Sequence, residues 1–130
     1  TAFAGERTIP VDVFLMIDKS QSVNEPGKFD SLHKWVRDTL VTEMLIPEDW
    51  ITVWEFYEKP YELQTLVIKN ENDRNSLIKI IDNITPNGAF TDIGRALDAI
   101  QDSLNKRGKN NRYKILLLVP LYQNIFIKRF

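Results

Sequence analysis

Apolar and polar positions fall in blocks along this chain, and the period of the pattern changes from block to block. Val11 to Ile17 is apolar at every position except Asp12. A run apolar on both faces predicts a strand buried on both sides, as in a parallel sheet. Asn24, Glu25, Pro26 and Gly27 then predict a loop. From Lys28 to about Met44, the residues Phe29, Leu32, Trp35, Val36, Leu40 and Met44 recur at spacings of three and four, which is one face of a helix, and Pro47 stops it. Trp50 to Tyr57 alternates aromatic and β-branched residues and predicts a strand. Leu63 to Ile68 predicts a second, after the Lys59, Pro60 break, and the two fit a hairpin.

Asn72 or Asp73 is placed to cap a helix carrying Leu77, Ile78, Ile80, Ile81 and Ile84, closed by Pro86, Asn87 and Gly88. Another helix starts just after Thr91 and Asp92, with Ile93, Ala96, Leu97, Ile100 and Leu104 at helical spacing, and ends near Gly108. Tyr113 to Val119 reads as a strand apolar on both faces, broken by Pro120, and Tyr122 to Phe130 fits a last strand. Doubly buried strands alternating with amphipathic helices predict an α/β fold: a doubly wound, mostly parallel sheet with helices on both faces. Such sheets bind ligands beyond the carboxyl ends of their strands. Asp18 stands at one of those ends.

Composition adds limits. With 130 residues, 43% hydrophobic and 27% charged, the chain fits one globular domain over residues 1–130. Residues 1–10 form a lead-in segment, and 120–130 a divergent or incomplete C-terminal part. A formal net charge of −1 writes in no attraction for nucleic acid. No apolar run approaches the ~20 residues of a membrane helix, so no membrane insertion is expected, and no signal-peptide pattern opens the chain. Because it starts at Thr1, a processed or excised product is expected. The absence of cysteine rules out disulfides and thiolate chemistry. The single histidine, His33, falls within a helical pattern and is expected at the helix surface. The Lys106, Arg107, Lys109, Arg112 run is expected to be a solvated loop, and Glu55, Glu58 and Glu62 the solvated face of the hairpin. Trp35, Trp50 and Trp54 are expected to pack in or beside the core.

The chemistry concentrates after the first strand. Asp18, Ser20 and Ser22 alternate in a loop, so that three oxygens can turn toward one point. A carboxylate and two hydroxyls are hard ligands that suit Mg²⁺ or Mn²⁺. Taken alone, the same residues also fit a polar turn whose side chains bond to nearby backbone. Three side chains leave the octahedron incomplete, and Thr91, which follows the Asn87, Gly88 pair and precedes a helix, is the nominee from a second loop. Thr91 also fits a helix N-cap. Asp92 beside it is a weaker alternative ligand, equally readable as a carboxylate favoured by the helix dipole.

"DKSQS" and "GAFTDIGRAL" resemble the Asp-x-Ser-x-Ser and Gly-x-Thr-x-x-Gly-x-Ala-Leu segments of von Willebrand factor type A domains, and the likeness extends over almost the whole chain. It implies a metal-ion-dependent adhesion site in which Asp18, Ser20 and Ser22 form the first loop and Thr91 the second. It also implies a partner protein whose carboxylate completes the coordination of the cation. The family places an aspartate in a turn after the strand matched by "KILLLV"; here Leu121 holds that place, and leucine cannot ligate. The family also normally continues with a further helix, strand and helix. The resemblance therefore implies a divalent-cation-dependent adhesion module and not an enzyme. The alternatives are a metal-free scaffold of the same fold, or a phosphoryl-transfer enzyme using Asp18. Against the enzyme, no second carboxylate follows Asp18 at two residues and no phosphate-cradling glycine loop is present. The many surface and secreted members tilt the expected location toward the cell surface or beyond the cytoplasm, although others work inside cells.

Overall fold

The computed structural model describes residues 7–19, 28–85, 92–119 and 124–129. In chain order the elements are β1 (Asp12–Asp18), α1 (Lys28–Lys34) running into a π-helical segment (Trp35–Met44), β2 (Trp50–Phe56), β3 (Pro60–Val67), α2 (Glu71–Asp82), α3 (Ile93–Arg107), β4 (Tyr113–Val119) and β5 (Asn124–Arg129). The five strands form one sheet in the order β3-β2-β1-β4-β5. β1 runs parallel to both β2 and β4, while β3 and β5 lie antiparallel at the two edges.

The doubly apolar pattern of β1 follows from its central place. Every residue of the strand is buried. Val13, Leu15 and Ile17 face one side with Ile51, Val53, Ile115 and Leu117, against Val36, Leu40, Val41 and Met44 of the π segment and Leu77 and Ile81 of α2. Met16 faces the other side with Phe56 and Leu118, against Ala96 and Ile100 of α3. Helices therefore cover both faces of a sheet with a parallel centre, and the expected fold class holds.

Several local expectations change. The helix predicted to Met44 is present, but from Trp35 its hydrogen bonds widen: the Leu45 N–H reaches back to the Leu40 carbonyl at 3.0 Å, and the Thr42 hydroxyl donates to the Arg37 carbonyl at 2.8 Å. A widened ladder leaves carbonyls over at its end. Arginines from elsewhere take them: Arg74 Nη1 donates to Val41 O at 2.6 Å, and Arg7 Nη2 to Met44 O at 2.8 Å. The cap of α2 is Asn70, not Asn72 or Asp73, with Asp73 returning the bond in a capping box. β3 begins at Pro60, which an edge strand tolerates. β5 turns back antiparallel on β4 instead of following a helix.

The basic run is only half solvated: Lys106 and Lys109 are exposed, while Arg107 and Arg112 turn toward Asp12. Asp12, fully buried on the α3 face, accepts from Arg107 Nε at 2.9 Å, Arg107 Nη2 at 3.1 Å and Asn110 Nδ2 at 2.9 Å. The buried Lys114 ammonium also donates to it, and Arg112 Nη1 stands 3.5 Å away. Burial by itself would raise the Asp12 pKa, but the hydrogen bonds from Arg107, Lys114 and Asn110 and the charge of Arg107 outweigh it and hold the carboxyl below its ordinary value. The Arg107 guanidinium lies 4.6 Å from the Trp50 ring centroid, and Trp50 meets Phe14 at 5.2 Å. A second buried carboxylate, Asp49, holds the lead-in segment: Arg7 binds both its oxygens at 2.7 and 2.6 Å, and the Val11 N–H donates to Oδ1 at 2.9 Å.

His33 departs from the expected surface position as well. It is half-buried, and burial pushes its imidazole below the usual value against the opposing charges of Asp82 and Asp30.

Candidate metal centre

β1 ends at Asp18 at the carboxyl edge of the sheet, where its last register partner is Phe56 of β2. Asp18 is fully buried there. The next residue ties the chain to β2: the Lys19 N–H donates to the Phe56 carbonyl at 2.9 Å. One residue past the end of β2, the Tyr57 carbonyl accepts from the Asp92 N–H at 2.7 Å, and Asp92 is the N-cap of α3. The segments that lead into the two nominated loops are thus fastened to consecutive carbonyls of one strand end.

The side chains around these bonds are also partnered. Lys19 Nζ stands 3.4 Å from Glu55 Oε2 and 5.5 Å from the Tyr57 ring centroid. Tyr57 stacks on Tyr61 with centroids 5.8 Å apart and an interplanar angle of 25°. A hydrogen bond with the Tyr61 side chain is the main reason the Tyr57 phenol is raised above its ordinary value. Asp92 Oδ1 accepts from the Arg95 N–H at 3.1 Å, and Oδ2 lies 3.5 Å from Arg95 Nε. Its carboxylate therefore serves the start of α3, where a negative charge is favoured by the helix dipole.

Of the nominated ligands, Asp18 and Asp92 stand at the same edge of the sheet. Ser20, Ser22 and Thr91, with Asn87, Gly88 and Leu121, lie outside the described residues. Among the described residues no three carboxylates or imidazoles converge on one point. The donors nominated are a buried carboxylate and hydroxyls, and that chemistry fits a hard divalent cation. Sequence reasoning missed Lys19, Tyr57 and Tyr61 as neighbours of the site. The hairpin that brings Tyr61 back over Tyr57 was legible, but nothing in its pattern singled out those two rings.

Residues 13–119 match the sequence profile of the von Willebrand factor type A domain. The chain belongs to that family. An uncharacterized protein of Treponema pallidum (strain Nichols) is 62% identical to this VWA domain over 116 residues, covering 89% of this chain and 52% of that protein. The chain thus spans about half the length of that relative. Among solved structures, a von Willebrand factor type A protein from Catenulispora acidiphila superimposes with a TM-score of 0.69 at 18% identity, over 82% of this chain and 25% of that one. Proximal thread matrix protein 1 from the mussel byssus, with a zinc-occupied MIDAS motif, superimposes with a TM-score of 0.62 at 18% identity, over 84% of this chain and 28% of that one. At such identities the shared property is the fold. VWA domains are modules that commonly bind other proteins, and no helix among the described residues is long and apolar enough to cross a membrane.

Proposed function

We propose that this VWA domain is a divalent-cation-dependent protein-binding module. Asp18, Ser20, Ser22 and Thr91 would hold Mg²⁺ or Mn²⁺, and a carboxylate from a partner protein would complete the coordination. The domain would work by binding, without chemistry on its ligand. The observation that carries this is the pair of backbone bonds, Lys19 to Phe56 and Asp92 to Tyr57, which brings the flanks of both loops to one sheet edge beside a buried carboxylate. The zinc-occupied MIDAS motif of the mussel protein, on the same fold, supports the binding of a divalent ion.

The test is thermal unfolding of the wild type and of Asp18→Asn, each in chelator and in Mg²⁺ or Mn²⁺. An ion bound only by the folded state at a hundred times its Kd adds about 2.7 kcal/mol of stability. The wild type should gain in midpoint with the ion, and Asp18→Asn should not. Equal midpoints for the wild type with ion and with chelator would instead favour a metal-free scaffold. That second reading has one specific observation behind it, the leucine at position 121 where the family places an aspartate.

A further inference from the structure

We infer that Tyr57, held from outside by Tyr61, is the positioning residue that sets the spacing between the two halves of the candidate cation site. This rests on the cation-binding function proposed above, and it concerns residues in neither loop. Among the described residues, the backbone at the end of β2 joins the halves: Phe56 O takes Lys19 N–H at 2.9 Å, and Tyr57 O takes Asp92 N–H at 2.7 Å. A shift of this short segment would move the first loop's start and the second loop's end together. The chain leaves β2 at this point, so the sheet ladder alone does not fix Tyr57. Its own N–H makes a longer bond, 3.3 Å, to Lys59 O.

The side chain supplies what the ladder does not. The Tyr57 ring is flanked by Lys19 Nζ at 5.5 Å from its centroid, and that ammonium is tethered to Glu55 at 3.4 Å. Tyr61 stacks on the ring at 5.8 Å, while remaining 43% exposed. Tyr61 sits opposite Glu55 in the β2–β3 ladder, so its place is set by sheet register and not by any loop. An exposed aromatic on an edge strand contributes little to the core. Here it stacks on the ring of the residue whose backbone carbonyl holds the start of α3. Groups that orient the ligands of a metal without touching it commonly change affinity by about tenfold or more when removed.

The experiment compares the wild type, Tyr61→Ala and Tyr61→Phe, with Tyr57→Ala as a second disruption. Two readouts are taken: hydrogen exchange of the Lys19 and Asp92 amides in chelator, and Mn²⁺ affinity by titration calorimetry. Tyr61→Ala and Tyr57→Ala should both speed exchange at the two amides and weaken Mn²⁺ by about tenfold, and Tyr61→Phe, which keeps the stack, should recover most of the affinity. Unchanged exchange at either amide overturns the inference, as does unchanged affinity in the alanine variants when the wild type binds. If the wild type binds no Mn²⁺ but both amides exchange faster in the alanine variants, Tyr57 still sets the spacing and it is the cation-binding function that fails.

Discussion

Asp12 and Lys114 are partners twice over: they face each other in the parallel register of β1 and β4, and their side chains form an ion pair buried beneath the end of α3. Two opposite charges out of water are tolerable only while both are present and their remaining bonds are satisfied. Arg107 and Asn110 satisfy those of the carboxylate.

Removing one member should therefore cost far more than removing both. Asp12→Ala leaves the Lys114 ammonium buried without its counter-charge and should destabilise the domain by about 3–5 kcal/mol. The double variant Asp12→Leu, Lys114→Met should be more stable than Asp12→Ala, since Arg107 is partly exposed and can turn to water. Urea unfolding of the three proteins measures the difference. Equal losses in single and double variants would contradict a coupled pair.

Acid should unfold the domain partly through the same residue. The Asp12 carboxyl is held below its ordinary value in the fold. The unfolded chain then takes up a proton first, near pH 4. The stability from Asp12 is complete above that value and is lost as the pH falls through the lower folded value. Midpoints recorded between about pH 2 and 5 should fall steeply for the wild type. The slope should be shallower for Asp12→Asn, whose side chain does not titrate.

A second pH effect should appear nearer neutrality. His33 is lowered by burial, against the pull of Asp82 and Asp30 and with Arg37 reinforcing it. Stability linked to it is complete above the unfolded value of about 6.5 and declines as the pH falls toward the folded one. Proton NMR should give a His33 pKa below that of a model peptide. His33→Gln should remove the decline without altering the one at lower pH.

The widened helix depends on a side chain from α2. Arg74 bonds the buried Val41 carbonyl at 2.6 Å. Arg74→Met keeps the aliphatic stem but leaves that carbonyl unsatisfied, at a cost of about 1–3 kcal/mol. Faster amide exchange within Trp35–Met44, with little change in β1, would locate the loss.

The strands and helices were legible because burial imposes a period on each. Val11 to Ile17 had to be apolar on both faces to lie at the centre of the sheet, and Asp18 could be placed at its carboxyl end for the same reason. What stayed hidden depends on distant residues or on geometry that the period does not encode. Asp12 read as an interruption and Arg107 as a loop charge, since the two are 95 residues apart in the chain. Spacings of three and four fit an α-helix and a π-helical segment alike, so the widening after Lys34 left no mark. Alternation in the last strand does not say whether it runs parallel or antiparallel. At the candidate site, the motif residues carried the resemblance, but the Tyr57 bridge arises from carbonyls that every residue has.

One helix joins the two edges of the sheet. α3 starts on the Tyr57 carbonyl at the carboxyl edge and ends at Arg107, bound to Asp12 at the amino edge. Its 15 residues span about 22 Å, close to the roughly 23 Å of the 7-residue β1 beneath it. A rod fastened at both ends and matched in length to its support cannot slide or tilt at one end alone. Lengthening it by a single residue would rotate one anchor by about 100° relative to the other. The length of α3 is therefore constrained by its two anchors, the Tyr57 carbonyl at one edge and the Asp12 carboxylate at the other.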